Sequence, residues 1–264
     1  MRKRILPKIF MTAAVIVSAG LALFTACDDD FWGPIGPPKN GDDGNILGSD
    51  DMPNRPGGGT TIQPGSQFNS NISYGSLYDS RDGKTYRTVV IGGKRWMAEN
   101  LNYNVSGSVC YGNNSVNCDL YGRLYDWATV MDISTSYNNS TWGGSDVNRR
   151  GVCPSGWHVP SDDEWTALTD FVGSNAGTRL KSRRGWYDNG NGTDDYGFSA
   201  LPGGYWWSGN FGSVGYNGCW WSATENDATV ARGRYMDYIN SGVYWYNYHE
   251  TGRFSLRCVE DVRP

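Results

Sequence analysis

The sequence predicts an irregular α+β domain that has few helices, short antiparallel strands and many loops. The chain is rich in glycine, with 36 residues, and in aromatic side chains, with 12 tryptophans and 17 tyrosines. From residue 186 onward, short aromatic segments alternate with glycine-rich turns, a pattern typical of short strands. Only a few segments have the period of a helix. The domain is therefore expected to consist mainly of strands and loops.

The N-terminus has the pattern of a lipoprotein signal peptide. The basic stretch MRKRILPK precedes the apolar run IFMTAAVIVSAGLALFTA, and Cys27 follows directly. We therefore predict an export signal over residues 1–26. Because LFTAC resembles a lipobox, Cys27 is the predicted lipid attachment site, with an uncleaved membrane anchor or an ordinary signal peptide as the alternatives. Several acyl chains together hold a protein at the membrane without a transmembrane helix.

Three aspartates, Asp28 to Asp30, follow Cys27. This run resembles the surface-export signals of some Gram-negative lipoproteins, and it is equally typical of a solvated charge run. We expect an exported outer-membrane lipoprotein, exposed at the cell surface if the run acts as a signal. Cleavage before Cys27 removes four basic residues from 23 and no acid from 27, so the net charge becomes −8. Such an acidic chain is not expected to bind nucleic acid.

Residues 27–72 predict a flexible tether. They consist mainly of Gly, Pro, Asp, Asn, Ser and Thr, so they cannot bury enough apolar surface to offset the entropy lost on ordering. Such a segment would hold the following domain away from the membrane. The remaining residues, 73–264, are numerous enough for one domain with a sizeable core.

Two elements are predicted in the first half of this domain. The segments KTYRTVVI (84–91) and KRWM (94–97) predict a β-hairpin, because the Gly92-Gly93 pair between them allows the positive φ angles of a tight primed turn. The segment YGRLYDWATVM (121–131) predicts a helix, because its period places four apolar residues on one face. These residues are Leu124, Trp127, Ala128 and Met131.

A further helix is predicted to begin at PSDDEW (160–165). Ser161 can cap the first backbone amides, and Glu164 can close a capping box. Asp162 and Asp163 lie in the first turn, where the helix dipole favours negative charge. These structural roles account for the three consecutive acids better than catalysis does. The apolar stripe of this helix consists of Trp165, Leu168, Phe171 and Val172.

The cysteines of the domain indicate a disulfide-bonded fold, because thiols pair in the oxidising compartments that exported proteins reach. Cys110 and Cys118 bracket a short polar loop, which predicts a local disulfide. Cys153 precedes the predicted helix and Cys258 lies in the last strand, so a bond between them would join the two ends of the domain. Cys219 is left over and is expected to be a buried, inert thiol.

Six motifs resemble the Fibrobacter succinogenes major paralogous domain. The resemblance covers roughly residues 74–262, with the motifs in the family's order. Proteins of this family are typically exported, often as lipoproteins, and no activity is established for the domain. The motifs are WMAENL (96–101), CDLYGRLYDWATVM (118–131), CPSGWHVPSDDEW (153–165), NGTDDYGFSALPGG (191–204), WWSATE (220–225) and FSLRCVED (254–261).

The arrangement is also similar, more distantly, to the formylglycine-generating-enzyme and C-type-lectin type of fold. This resemblance implies a mixed domain whose N- and C-terminal parts meet, in keeping with a Cys153–Cys258 disulfide. It does not imply the enzyme's activity, because Cys219 and Cys258 stand too far apart in sequence to form its close pair of copper-binding cysteines. The sequence also lacks the EPN and QPD calcium–sugar motifs of C-type lectins.

Paired tryptophans favour a non-catalytic binding module. Trp206-Trp207 and Trp220-Trp221 lie in glycine-rich segments, and the aromatic residues 244–246 follow. Neighbouring side chains of a strand point to opposite faces, so one tryptophan of each pair is expected in the core and the other on the surface. Exposed aromatic rings beside Asn and Asp suit a polysaccharide or another surface polymer. The alternative is that all four rings belong to the core of a purely structural envelope lipoprotein.

Catalysis and metal binding are the less favoured hypotheses. A hydrolase would need paired carboxylates, for which Asp188, Asp194, Asp195 and Glu225 are candidates, but their spacing singles out no acid and base. The segment DNGNGTDD (188–195) could bind calcium through Asp and Asn oxygens, although Asx-rich turns explain it equally well. His158 is one of only two histidines, so we expect it to pack structurally rather than bind zinc. We therefore predict neither catalytic residues nor a required cofactor.

Overall fold

The structure is a computed structural model that describes residue 63 and residues 65–261. The predicted signal peptide, the lipid attachment site at Cys27 and most of the predicted tether lie outside these residues. Within the described part of the chain, none of the helices has the length and apolar character that crossing a bilayer requires.

The described residues form four short α-helices and twelve strands, joined by many loops. The helices are α1 (Ser115–Tyr121), α2 (Trp127–Met131), α3 (Asp162–Val172) and α4 (Ala176–Leu180). The strands are β1 (Gly75–Asp79), β2 (Lys84–Ile91), β3 (Lys94–Met97), β4 (Ser108–Val109), β5 (Leu124–Tyr125), β6 (Trp157–His158), β7 (Gly203–Trp207), β8 (Asn210–Val214), β9 (Asn217–Glu225), β10 (Val230–Asp237), β11 (Tyr244–His249) and β12 (Val259–Glu260).

The first sheet has the strand order β1-β2-β3-β12-β6, and all its pairs are antiparallel. The predicted hairpin is confirmed: Gly92 and Gly93 have φ angles of 60° and 80° between β2 and β3. The C-terminal strand β12 lies between β3 and β6, with Val259 opposite both Trp96 and His158. The two ends of the domain therefore meet in this sheet.

The second sheet has the order β11-β10-β9-β7-β8 and is mixed. Strands β7 and β9 are parallel, with Gly204 opposite Gly218, while the other pairs are antiparallel. Past the Gly204–Gly218 pair, the segment 253–255 forms isolated bridges to β7 at Trp206 and to β9 at Trp220. The strand β9 is therefore paired along both edges, at the centre of the sheet.

Two core clusters lie on the two faces of this second sheet. The first core cluster includes Trp127, Trp221 and Phe254, and the second includes Trp165 and Trp220. Because neighbouring residues of β9 point to opposite faces, Trp220 and Trp221 enter different clusters. A sheet that is covered on both faces buries consecutive residues of its central strand.

The helix predicted over residues 121–131 is wrong in extent. The helix α1 ends at Tyr121, where Gly122 takes a φ of 74°, and the chain then forms the short strand β5. The helix α2 begins after Asp126, whose side chain accepts a hydrogen bond from the Thr129 N–H. The four apolar residues of the predicted face are nonetheless all buried. Gly122 and the capping Asp126 therefore break the predicted helix into separate elements, although its apolar residues were predicted correctly.

The helix α3 confirms the predicted start and corrects one residue of its stripe. The side chain of Ser161 accepts from the Glu164 N–H, and the Glu164 carboxylate accepts from the Ser161 N–H, which completes a capping box. Trp165, Leu168 and Val172 are buried, as predicted, but Phe171 is 56% exposed. Its ring lies at the edge of the helix against Tyr196, with 5.9 Å between ring centroids.

Both predicted disulfides are present in the structure. Cys110 bonds to Cys118 across eight residues, and Cys153 bonds to Cys258 across 105 residues. Cys219 is buried and lies outside both disulfides. The longer bond holds the segment before β6 to the segment before β12, and it stabilises the meeting of the two ends.

The folded part of the chain begins before the predicted tether boundary at residue 72. The Arg87 guanidinium lies 4.0 Å from the centroid of the Phe68 ring, and the Asn69 side-chain amide donates to the Asp194 carbonyl at 2.9 Å. Gln67 and Asn69 are both 4% exposed. Residues 65–72 are therefore part of the domain, because a few specific contacts order a segment whose composition predicts disorder.

Candidate functional site

The prediction that one tryptophan of the 220–221 pair is exposed is wrong. Trp220 and Trp221 are both fully buried. The indole N–H of Trp220 donates to the Asn100 side chain at 2.9 Å, and that of Trp221 donates to the Tyr125 carbonyl at 2.8 Å. The alternation along the strand was predicted correctly. The exposure was not, because both faces of β9 are covered.

The 206–207 pair is partly exposed, since both rings lie near the end of β7. The Arg253 guanidinium lies 4.2 Å from the centroid of the Trp206 ring. The Trp207 ring lies 5.6 Å from the His249 ring. Of the four predicted platform residues, these two reach the surface, and they do so on opposite faces of the strand.

Further aromatic residues join Trp207 on one face of the second sheet. Tyr235 lies opposite Tyr244 in the β10–β11 pair, and Tyr246 follows Tyr244 by two residues. Through the Gly204–Gly218 register, Tyr205 and Trp207 belong to the same face as Cys219 and Trp221. We call this set of five residues the aromatic face: Tyr205, Trp207, Tyr235, Tyr244 and Tyr246.

The aromatic face forms the outer rim of the first core cluster. Tyr205, Tyr235 and Tyr246 pack against that cluster and are partly exposed. Tyr244 is 39% exposed, and its ring stacks on that of Tyr235 with 5.2 Å between centroids and 28° between planes. Each tyrosine presents an apolar ring and a polar hydroxyl, which suits a ligand that has an apolar face and a hydrated polar face. The sequence indicated residues 244–246, but not Tyr205 and Tyr235, because strand pairing brings them together.

A buried polar centre is formed by Asn100. Its side-chain oxygen accepts from the Trp220 indole N–H and from Arg257 Nε, both at 2.9 Å. Its amide nitrogen donates to the Tyr121 carbonyl at 2.8 Å and to Ser255 Oγ at 3.2 Å. These five residues come from four of the sequence motifs described above. The motifs therefore meet in space, and this meeting gives them a structural role.

A polar pocket of about 280 Å³ lies beside the Asn100 centre. Its lining includes Gln67, Lys84, Tyr86, Glu99, Leu120 and Arg257. Arg257 is 1% exposed, and its guanidinium donates to the Asn100 side chain and to the carbonyls of Phe198 and Ser199. Burial lowers the pKa of Arg257 to about 9. Neutral acceptors therefore hold this buried cation at the base of the pocket.

The comparison with protein-family models matches the Fibrobacter succinogenes major domain over residues 89–260. The chain belongs to this family. The match spans the Asn100 centre and most of the pocket, as well as the aromatic face. The searches of curated proteins and of solved structures return no match.

In this Fibrobacter succinogenes major domain the four candidate acids lie in different environments. Asp194 is fully buried and accepts from the backbone N–H and the hydroxyl of Ser199, both at 2.7 Å; burial raises its pKa to about 6. Asp195 pairs with Arg179 at 2.9 Å. The remaining two are Glu225, which accepts from the N–H groups of Trp142 and Gly143, and Asp188, which is exposed with a φ of 45°.

The segment 188–195 does not assemble a calcium site from its carboxylates. Asp194 turns into the domain and Asp195 turns to a surface arginine, so the two do not converge on one point. Among the described residues there is no group of three or more His, Cys, Asp or Glu side chains that could hold a metal ion. The positive φ angles at Asp188, Asn189 and Asp194 are typical of Asx-rich turns.

His158 belongs to a buried charge network. It is 1% exposed, and its ring nitrogens lie 2.7 Å from Asp261 and 3.0 Å from Glu164. Burial alone would lower the pKa of His158, but the two carboxylates outweigh it and raise the pKa above its ordinary value. Burial likewise opposes the shift at Glu164, where His158, Ser161 and Lys94 lower the pKa to about 2. The expectation that His158 packs structurally agrees with this arrangement.

Glu250 is a buried carboxyl whose pKa is raised, in contrast to that of Glu164, which is lowered. It is fully buried, and its two carboxyl oxygens have no hydrogen-bond partner within the described residues. Burial and the nearby charges of Glu225 and Asp227 raise its pKa to about 8. Sequence patterns gave no sign of this residue, because its burial depends on the packing around the end of β11.

Proposed function

We propose that this protein is an exported, lipid-anchored protein of the outer membrane whose domain binds polysaccharide and performs no chemistry on it. The aromatic face carries the proposal, because it presents several partly exposed rings on one side of a rigid sheet. A sugar ring has an apolar face that can stack on such rings, while its hydroxyls can bond to the tyrosine hydroxyls.

The charge of the chain favours a neutral polymer. After cleavage before Cys27 the chain would carry a net charge of −8, which disfavours a strongly anionic polysaccharide. The lipid anchor and the tether would place the aromatic face away from the membrane, where a surface polymer is accessible. A purely structural envelope lipoprotein is the alternative function, and it differs only in having no ligand.

We also propose that the domain has the C-type-lectin and formylglycine-generating-enzyme type of fold. In support of this, the last strand returns to pair with β3 and β6, and the Cys153–Cys258 disulfide joins the same two ends. The four separated acids lend no support to a hydrolase.

A glycan array tests the proposed binding. The purified full-length protein, in a detergent without sugar headgroups, is expected to bind neutral polysaccharides, and removal of calcium with a chelator is expected to leave binding unchanged. The double variant Trp207→Ala/Tyr244→Ala should lose at least about tenfold in affinity, since aromatic residues that contact a partner carry much of the binding energy.

Tyr78→Ala is the matched control, because Tyr78 is 65% exposed on β1 of the first sheet. This variant should bind like the unaltered protein. Binding that is unaffected by the double variant, or the absence of binding to any glycan, would contradict the proposal and favour the purely structural function.

A further inference from the structure

We infer that the outer edge of strand β11 pairs with the same edge of a second copy of this chain, so that the protein forms a two-fold symmetric dimer. This inference does not rest on the proposed function, because it uses the backbone edge of the sheet rather than the rings of the aromatic face. It rests on the direction of the backbone groups, on the absence of the usual edge protection, and on the lack of charge along the strand.

The strand β11 is an outer strand of the second sheet, with β10 on one side and no strand of the described residues on the other. The Glu250 N–H donates to the Thr229 carbonyl at 3.0 Å, which continues the register of the β10–β11 pair. Because alternate residues of an antiparallel strand bond to opposite sides, the even-numbered residues of β11 bond to β10. The N–H and C=O groups of Trp245 and Asn247 therefore point to the open edge.

The open part of this edge is the segment 245–247. Within the described part of the chain, the outward backbone groups of Trp245 and Asn247 have no hydrogen-bond partner. The His249 carbonyl, which is next along the edge, accepts from the Gly252 N–H at 2.9 Å because the chain turns there. Tyr246 therefore lies at the middle of the open segment.

The strand β11 lacks the features that normally keep edge strands from pairing, which are short length, charged side chains, proline and local irregularity. The other outer strands of the two five-stranded sheets each have one of them. The strand β6 has two residues, β8 contains Ser213 with a φ of 61°, and β1 ends in the Asp79–Arg81 ion pair. The strand β11 has six residues, YWYNYH, with no Lys, Arg, Asp, Glu or Pro among them. It is therefore the outer strand best suited to pair with another chain.

Two exposed aromatic side chains flank the open edge. Trp245 is 52% exposed, and it lies on the face of β11 opposite to the exposed Tyr244. The Arg232 guanidinium lies 4.7 Å from the centroid of the Trp245 ring and donates to Asp162 at 2.9 Å, so this ring is held beside the strand. A second strand at the edge covers part of both rings and removes apolar surface from water on both faces.

Two-fold symmetry matches this edge to itself. When antiparallel strands are related by a two-fold axis, each residue lies opposite one at the same distance from the axis, so outward groups meet outward groups. With the axis beside Tyr246, Trp245 of each copy lies opposite Asn247 of the other, and about four backbone hydrogen bonds form. The pairing brings no like charges together along the strand, which favours a second copy of a chain whose net charge is negative.

This pairing also joins the two aromatic faces. Tyr246 of one copy lies directly opposite Tyr246 of the other, in a non-hydrogen-bonded pair whose side chains are close together. Aromatic pairs of this kind stabilise the contact between two strands. Both tyrosines lie on the same side of the joined sheet, so the aromatic faces of the two copies form one surface.

Single cysteine variants test the pairing and its register. In Tyr246→Cys the two new cysteines lie opposite each other with Cα atoms about 4.5 Å apart, within the roughly 4.4–6.8 Å that disulfides span. In Tyr244→Cys they lie about 14 Å apart, because four residues of about 3.4 Å separate them along the strand. The full-length protein in detergent is treated with a mild oxidant at about 100 μM, near the Kd expected of so small an interface, and covalent dimer is measured on non-reducing gels.

Tyr246→Cys is expected to form covalent dimer at least about tenfold faster than Tyr244→Cys. Tyr244 is the more exposed of the two residues, so random collisions would give the opposite order. Two molecules that share a detergent micelle would cross-link through both variants alike, and the comparison therefore separates pairing from crowding. The unaltered protein supplies the background rate, which is expected to be low because Cys219 is buried.

A mixture of two variants decides the question if Tyr246→Cys does not fold. Because Trp245 of one copy lies opposite Asn247 of the other, an equimolar mixture of Trp245→Cys and Asn247→Cys is expected to cross-link faster than either variant alone. The inference is overturned if Tyr246→Cys and Tyr244→Cys cross-link at the same rate, or if the mixture is no faster than its components. It is also overturned if no variant forms covalent dimer above the background.

Discussion

The two tryptophan pairs of this domain have the same sequence but different environments. Trp220 and Trp221 lie in the central strand β9 and are fully buried, one in each core cluster. Trp206 and Trp207 end the strand β7, and both are partly exposed. The comparison shows that the cover over the two faces of a strand, at the position of the pair, decides whether a paired tryptophan stabilises the fold or is accessible to a ligand.

The largest expected effect is the difference in stability between these pairs. Trp221→Ala should lower the free energy of unfolding by about 3–5 kcal/mol, because it removes a large buried side chain and leaves a cavity. Trp207→Ala should lower it by less than about 1 kcal/mol. Chemical denaturation of both variants measures the two values, and Trp221→Phe serves as the conservative control. Similar losses in the two alanine variants would remove the distinction between the pairs.

The Asn100 centre tests how much the polar contacts of the buried Trp220 contribute to stability. Asn100→Ala leaves the Trp220 indole N–H and Arg257 Nε without their acceptor, and each unmet buried group costs about 1–3 kcal/mol. We expect a loss of roughly 2–4 kcal/mol in the free energy of unfolding. Asn240→Ala, at an exposed asparagine, is the control and should change stability little. A loss at Asn100 no larger than the control's would mean that the centre does not hold the motifs together.

Two carboxyl groups, the fully buried Glu250 and the partly buried Glu164, extend the comparison to pH. The folded-state pKa of Glu250, about 8, lies above its ordinary value of 4.5, so the folded state binds the extra proton between these values. Stability then falls as pH rises from 4.5 to 8. Glu164 behaves oppositely: its pKa of about 2 gives stability that is present above pH 4.5 and is lost as the pH falls toward 2.

Glu250→Gln should therefore gain stability relative to the unaltered protein as the pH rises from 4.5 to 8. The gain is at most about 1.4 kcal/mol per pH unit, the value of one pKa unit. Denaturation curves at several pH values measure it, and Glu225→Gln controls for the loss of a nearby charge. A difference that stays constant over this range would show that Glu250 is ionised in the folded protein at all these pH values.

Local patterns predicted the elements whose geometry is set within a few residues. The Gly92-Gly93 turn and the Ser161–Glu164 capping box depend on neighbouring residues, and both are present. The short Cys110–Cys118 disulfide follows from the proximity of its cysteines along the chain. The long Cys153–Cys258 bond was expected with support from a family resemblance, because spacing alone cannot show that two distant segments meet.

The remaining features depend on contacts between distant segments. The helical period over residues 121–131 gave no sign of the break at Gly122, although the buried face was correct. Trp220 and Trp221 are both buried because both faces of β9 are covered, and no pattern within β9 reveals this cover. Gln67 lies in a segment whose composition predicts disorder, and only its contacts with the domain place it in the pocket.

The most direct test of polysaccharide binding by the aromatic face is a hydroxyl-radical footprint of the full-length protein, with and without a polysaccharide that binds on the array. The account predicts that the ligand reduces oxidation of Trp207 and Tyr244, and that oxidation of the exposed Tyr78 on the first sheet stays unchanged. If the bound polysaccharide protects Tyr78 and leaves Trp207 and Tyr244 as reactive as before, the aromatic face is not the binding surface.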